Sequence, residues 1–149
     1  MLTQAEANEL IEVLKKMQCK KYLIKFPNPT EYSKIEAVSV KSSKDKFIFD
    51  INRKGQYNIN KCTYQTRYKK SVRLLRLDLE GPPHDNPDGT TVECPHIHIY
   101  REGYDLSWAF PLPDIIDTNS EDLIQTLVDF LEYNKVQLSN YSFEEGGLV

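Results

Sequence analysis

A chain of 149 residues, 40% hydrophobic and 28% charged, has the size and composition of one globular domain, which excludes a disordered or fibrous protein. No apolar run approaches the roughly 20 residues that cross a bilayer, and Met1-Leu2-Thr3-Gln4-Ala5-Glu6 lacks the basic start and apolar stretch of a secretion signal, so the cytoplasm is the expected location. Cys19, Cys62 and Cys94 are few, odd in number and widely spaced, which argues against a disulfide framework and a Cys-x-x-Cys redox pair.

Leu2 to Met17 is predicted as an amphipathic helix. Thr3 and Glu6 have capping-box spacing, and Leu10, Ile11, Leu14 and Met17 recur at helical intervals. Lys15, Lys16, Lys20 and Lys21 gather toward its end, where cations suit the helix dipole. Pro27 and Pro29 confine Tyr22 to Phe26 to a short strand. The period then changes to two. Ile35, Ala37 and Ser39 alternate with Glu36, Val38 and Val40, and Phe47, Phe49 and Ile51 alternate with Ile48 and Asp50. Gly55 marks a turn, and extended segments follow at 57–59, Cys62 to Tyr68, Val72 to Glu80, Pro95 to Tyr100 and Leu106 to Phe110. Short strands joined by turns predict an antiparallel meander, bent or partly closed.

The last predicted element is a helix from Ser120 to Tyr133, with Thr118 and Glu121 as a second capping box. Leu123, Leu127, Phe130 and Leu131 form its buried stripe. The tail through Glu144, Glu145, Gly146 and Gly147 reads as an irregular terminus. No repeat or linker divides the chain. The expectation is an α+β fold, one domain over 1–149, its sheet flanked by an N-terminal and a C-terminal helix.

The formal charge of −3 hides an asymmetry: Lys61, Arg67, Lys69, Lys70, Arg73 and Arg76 fall in sixteen residues without an acid. Such a run is either a solvated strand face or a surface for phosphate backbones or an acidic partner. The candidate contacts are Arg67, Lys69, Lys70 and Arg73, with Arg101 further along.

All three histidines, His84, His96 and His98, lie within fifteen residues. In Pro95-His96-Ile97-His98-Ile99-Tyr100 a strand places both imidazoles on one face and the isoleucines on the other, with Cys94 and Tyr100 on the histidine side if pairing runs unbroken. His84 opens a loop crowded with turn formers through Gly89, long enough to double back onto that strand. Three converging imidazoles suit zinc with water in the fourth position. Asp78, Asp85, Glu93 or Glu102 would orient a ligand or act as base, whereas Cys94 as a fourth ligand would close the site. Without metal, paired histidines serve as acid and base at neutral pH, and Arg76, on the same face as Asp78, would stabilise the charge of a phosphodiester reaction. A third reading of the same residues is a hydrogen-bonded ladder that fixes register. His96-x-His98-x-x-x-Glu102 also resembles the first metal motif of cupins, but no later histidine supplies their fourth ligand.

Tyr64-Gln65-Thr66-Arg67-Tyr68, Leu74-Leu75-Arg76-Leu77-Asp78, Gly81-Pro82-Pro83-His84 with Asn86-Pro87-Asp88-Gly89, Pro95 to Gly103 and Trp108-Ala109 together resemble the signature of a family of small bacterial proteins of unknown function. Its members occur largely in phages and mobile elements of Gram-positive bacteria. The resemblance implies a setting, the bacterial host cell cytoplasm, and no catalytic residue. In that setting the leading expectation is an accessory protein that binds and inhibits a host defence or nucleic-acid-processing complex, as anti-CRISPR proteins do. The alternative is a small toxin-like nuclease or phosphodiesterase built on His84, His96 and His98, with zinc as a fitting cofactor.

Overall fold

The computed structural model describes residues 1–55 and 60–145; the extended segment expected at 57–59 lies outside them. Helix α1 spans Gln4–Glu12 and opens with the expected capping box, Thr3 and Glu6 exchanging side-chain bonds to each other's main-chain N–H, worth about 1 kcal/mol. It stops at Glu12, five residues short of the predicted end. Lys15–Met17 is instead an edge strand, β1, with its outer residues buried and Lys16 exposed. Lys15 explains the break. Its ammonium turns back to donate to the Ile11 and Val13 carbonyls at 2.9 and 3.0 Å, and to Asn134 at 2.6 Å. The cation at the helix end is therefore real, but it acts from a strand.

Strands β2 (Leu23–Phe26), β3 (Tyr32–Ser39), β4 (Lys46–Asn52), β5 (Thr63–Tyr68) and β6 (Val72–Asp78) follow. After them come a small hairpin of β7 (His84–Asp85) and β8 (Thr91–Val92), then β9 (His96–Ile99) and β10 (Ala109–Pro111). A single 3-10 turn, Leu112–Asp114, leads toward helix α2, Leu123–Tyr133, and strand β11, Ser142–Glu145. Seven strands form an open, antiparallel sheet in the order β1-β3-β4-β5-β6-β9-β10. It is not closed into a barrel. The fold is α+β, with the meander and the two flanking helices the sequence predicts.

One sheet face carries the core. Ile35, Phe47, Phe49, Ile51, Tyr64, Leu75, Leu77 and Ile97 pack with Ala7 and Ile11 of α1 and Leu127, Phe130 and Leu131 of α2; each large side chain buried there contributes roughly 1.5–3 kcal/mol. Besides the Lys15 bond to Asn134, the Tyr64 hydroxyl donates to the Leu123 carbonyl at 2.7 Å and the Thr66 hydroxyl to the Asn134 amide oxygen at 2.9 Å, fastening α2 to the sheet. The cap of α2 differs from expectation. Asp122, accepting from Gln125 N–H at 3.0 Å, starts the helix, because Asn119 already turns the chain by accepting from Glu121 N–H. At the other end, Glu144 and Glu145 are not irregular: β11 pairs in parallel with β2; 146–147 lie outside the described residues. Leu106 to Trp108 also leave the predicted strand, forming the turn that precedes β10.

Candidate functional site

The opposite sheet face is polar, and its residues follow from register alone. Arg76 pairs with His98 and Asp78 with His96 across β6 and β9, while Gln65 and Thr63 of β5 oppose Arg76 and Asp78. Because alternate residues share a face, both histidines, the arginine and the aspartate point the same way, as Ile97, Leu75 and Leu77 enter the core. A register shift between Thr66 and Arg67 makes Leu74 the extra residue of a bulge, so Leu74 and Leu75 are both buried. Pairing of β9 with β6 ends at Leu75–Ile99. Tyr100 is therefore taken into the core, its hydroxyl donating to the Leu2 carbonyl, and is absent from the histidine side.

The loop from Gly81 doubles back as the turn residues suggest. Asn86, buried, clamps it to β10 by accepting from Ala109 N–H at 2.8 Å and donating to the Ala109 carbonyl at 3.0 Å. This sets the His84 ring 4.6 Å from that of His98 and 6.1 Å from that of His96, with His96 and His98 4.9 Å apart. The three imidazoles converge.

Each imidazole has one nitrogen against a main-chain carbonyl: His84 Nε2 at 2.7 Å from Ser107 O, His96 Nδ1 at 3.2 Å from Val92 O, and His98 Nδ1 at 2.8 Å from Leu106 O. Placing the ring protons on those nitrogens fixes the tautomers and leaves the remaining nitrogens as lone pairs. For His98 that lone pair accepts from the Arg76 guanidinium at 3.0 Å. Asp78 Oδ2 lies 3.1 Å from His96 Nε2 and 3.3 Å from His98 Nε2, and also accepts from Arg76 at 3.2 and 3.3 Å. His96 consequently faces acceptors on both sides with one proton to give. A second proton, or a cation between Nε2 and the carboxylate, resolves that conflict.

The ligand atoms of Asp78, His96 and His98 lie within 4.8 Å of one another. A tetrahedral ion with ligand bonds near 2.0–2.1 Å separates its ligands by roughly 3.3 Å; the two separations from Asp78 to the histidines, 3.1 and 3.3 Å, match this, and the wider spread of up to 4.8 Å would have to close on an ion. The tight trio thus substitutes Asp78 for His84, which stands beside it through its contact with His98. Burial pushes the Asp78 carboxyl up; a proton on His98 Nε2, together with the Arg76 charge, would bring it to about 2. His96 and His98 are only 3% and 2% exposed, at the base of a cleft of about 280 Å³ whose walls include Lys61, Pro82, Pro83, His84 and Cys94. Cys94 Sγ is 3.6 Å from His96 Nδ1, and burial with nearby Asp78 raises its thiol to about 11. It remains outside the trio.

Other candidates are engaged elsewhere. Asp85 accepts from the Thr91 hydroxyl, Glu102 from Gln4 N–H, and Glu93 is exposed. Of the basic residues, Arg67 is held on Asp50 at 2.7 and 2.8 Å. Lys69 and Lys70 form the β5–β6 turn at positive φ, and Arg73, exposed, opposes Arg67. Arg101 lies in a separate turn with its guanidinium 4.5 Å over the Trp108 ring. Asn86, Thr63 and the carbonyls of Val92, Leu106 and Ser107 are the partners missed by sequence reasoning. Asn86 alone carried a signal, in Asn86-Pro87-Asp88-Gly89.

A model of a family of unknown function (DUF6978) matches residues 2–136. The chain belongs to that family. No curated protein and no solved structure matches it. Among the described residues no helix is long and apolar enough to cross a membrane.

Proposed function

We propose that the cleft is the active site of a small divalent-metal phosphodiesterase or nuclease, toxin-like in scale and encoded by a phage or mobile element. One observation carries this reading: three imidazoles, each pinned through one nitrogen by a main-chain carbonyl, converge beside a carboxylate that has too many partners. Metal-binding histidines commonly donate their second nitrogen in this way. His96, His98 and Asp78 would hold the ion, for which zinc fits the donor set. Bound there, it would supply a water of lowered pKa and polarise a phosphoryl oxygen. Arg76, one-third exposed at 32%, faces the developing negative charge, and His84 at the rim is the group placed to move a proton.

Protein purified without a histidine tag is expected to carry one zinc or manganese per chain by elemental analysis. That metal, and cleavage of RNA or DNA, should be lost in His96→Ala and His98→Ala. Absence of metal together with no cleavage under any divalent ion overturns the proposal.

A second reading has its own support. Arg76 already donates to both His98 and Asp78, so the cluster can be stabilised by its own cation. The chain would then act in the host cytoplasm by binding, inhibiting a defence or nucleic-acid-processing complex in the manner of an anti-CRISPR protein. Co-purification of such a complex with loss of its activity, by a metal-free chain, selects this reading.

A further inference from the structure

The polar face does not end at the histidines. Gln65 opposes Asp50 and Thr63 opposes Asn52 across β4 and β5, and Tyr32 opposes Asn52 across β3 and β4. These side chains form a shallow depression with Arg67 that shares Arg76 with the histidine cleft. Among the described residues no helix covers this side, since α1 and α2 pack on the other. At the far end of β5 and β6 a hollow of about 440 Å³ is rimmed by Lys44, Lys46, Lys69 and Lys70. We propose that this face is a binding track for single-stranded nucleic acid, running from the lysine corner over β4–β6 to the histidine cleft. It rests on the reading of that cleft as a phosphodiester site.

Charge, chemistry and shape select the occupant. The acids on the route are largely engaged: Asp50 accepts from Tyr32, Gln65 and Arg67, Glu36 pairs with Lys34, and Asp45 accepts from Tyr68. The lysine corner and Arg73 remain as positive charge for phosphates. From Arg73 to Asp78 the strand rise gives roughly 17 Å, enough for several linked nucleotides. Tyr32, 37% exposed with Lys54 Nζ 5.4 Å over its ring, offers a face for base stacking. Asn52, Thr63 and Gln65 supply donors and acceptors for base edges. Because the histidine pair is 2–3% exposed at the floor of its cleft, a flexible strand can lower a phosphate to it and a rigid duplex cannot.

Fluorescence anisotropy with labelled 12-nucleotide RNA, DNA of the same sequence and the corresponding duplex, all in EDTA, tests the track without cleavage. One or both single strands should bind, and the duplex at least tenfold more weakly; which single strand binds tighter identifies the sugar. Lys69→Glu with Lys70→Glu should weaken binding tenfold or more and reduce the salt slope by about 1.4, roughly 0.7 per phosphate contact on a single strand. Lys44→Glu with Lys46→Glu is the second variant should the turn not tolerate the first, and Tyr32→Ala should cost about tenfold. Unchanged affinity in both lysine variants, or equal binding of duplex, overturns the track. Reading binding in EDTA and cleavage with divalent ion on the same lysine variants separates the two claims. Lysine-sensitive binding without cleavage in any divalent ion retains the track and removes the hydrolytic reading. Cleavage insensitive to the lysines does the reverse.

Discussion

Two carboxylates sit on the same polar sheet face, and their surroundings differ. Asp50 is matched group for group: its two oxygens receive Arg67 through Nε and a terminal nitrogen, with Tyr32 and Gln65 completing the shell. Asp78 concentrates its partners on one oxygen, where Arg76 and the Nε2 atoms of two histidines compete, while the other oxygen takes a single bond from Thr63. A saturated carboxylate is a structural tie. A crowded one, short of protons for its neighbours, is poised to accept a cation or a reacting group. On the proposed reading, the contrast separates candidate site from scaffold better than charge or burial alone.

The largest effect should come from removing the saturated member. Asp50→Ala leaves the Arg67 guanidinium half-buried without its bidentate partner and should cost about 3 kcal/mol in urea unfolding. Asp78→Ala should cost about 1 kcal/mol, because Arg76 can turn to water and the histidines keep their carbonyl bonds. Equal losses would erase the distinction between the two carboxylates.

Saturating zinc or manganese, at a hundred times its dissociation constant, should stabilise the wild type by about 2.7 kcal/mol. The same addition should leave the melting temperature of Asp78→Ala unmoved. Lys15 extends the comparison to a cation with a filled shell. Burial pushes its ammonium down to about 7, against three carbonyls that favour the charged form. Lys15→Met should cost about 2 kcal/mol by stranding those acceptors, measured by the same unfolding.

The smallest effect is a slope. Burial raises the Asp50 carboxyl, but Arg67 and Tyr32 outweigh it and hold it below the ordinary value. The native state therefore binds its proton less readily than the unfolded chain. That stability is present above the usual aspartate range, near pH ~3.9, and is lost as pH falls through the lower folded value. Asp50→Asn should flatten the acid limb of a stability–pH curve; an unaltered limb removes the Arg67 tie as its cause.

Much of the fold and site was legible because strands announce themselves by alternation. His96 with His98, and Arg76 with Asp78, are two apart in a period-two context, so their shared faces follow without coordinates. That β6 and β9 are neighbours does not follow so directly, since the hairpin of β7 and β8 intervenes. Period also misled: Leu10, Ile11, Leu14 and Met17 fit a helix, but Leu14 is 46% exposed and Met17 is buried from a strand too short to show its own rhythm. Strand β11 escaped because its parallel partner β2 lies more than a hundred residues away. The three carbonyls that aim the histidines were hidden because every residue type supplies one.

That last feature has a genetic consequence. The imidazoles are oriented by Val92, Leu106 and Ser107 through oxygen atoms that no codon change deletes, so the side chains of half-buried Val92 and exposed Ser107 can drift while ring orientation is inherited through chain path; Leu106 is held by its core packing as well. Distant kin of this chain should accordingly be sought by the turn that delivers the Leu106 and Ser107 oxygens, with Gly103 at a φ of +85°, and by the Asn86 clamp, ahead of the identities at 92 and 107.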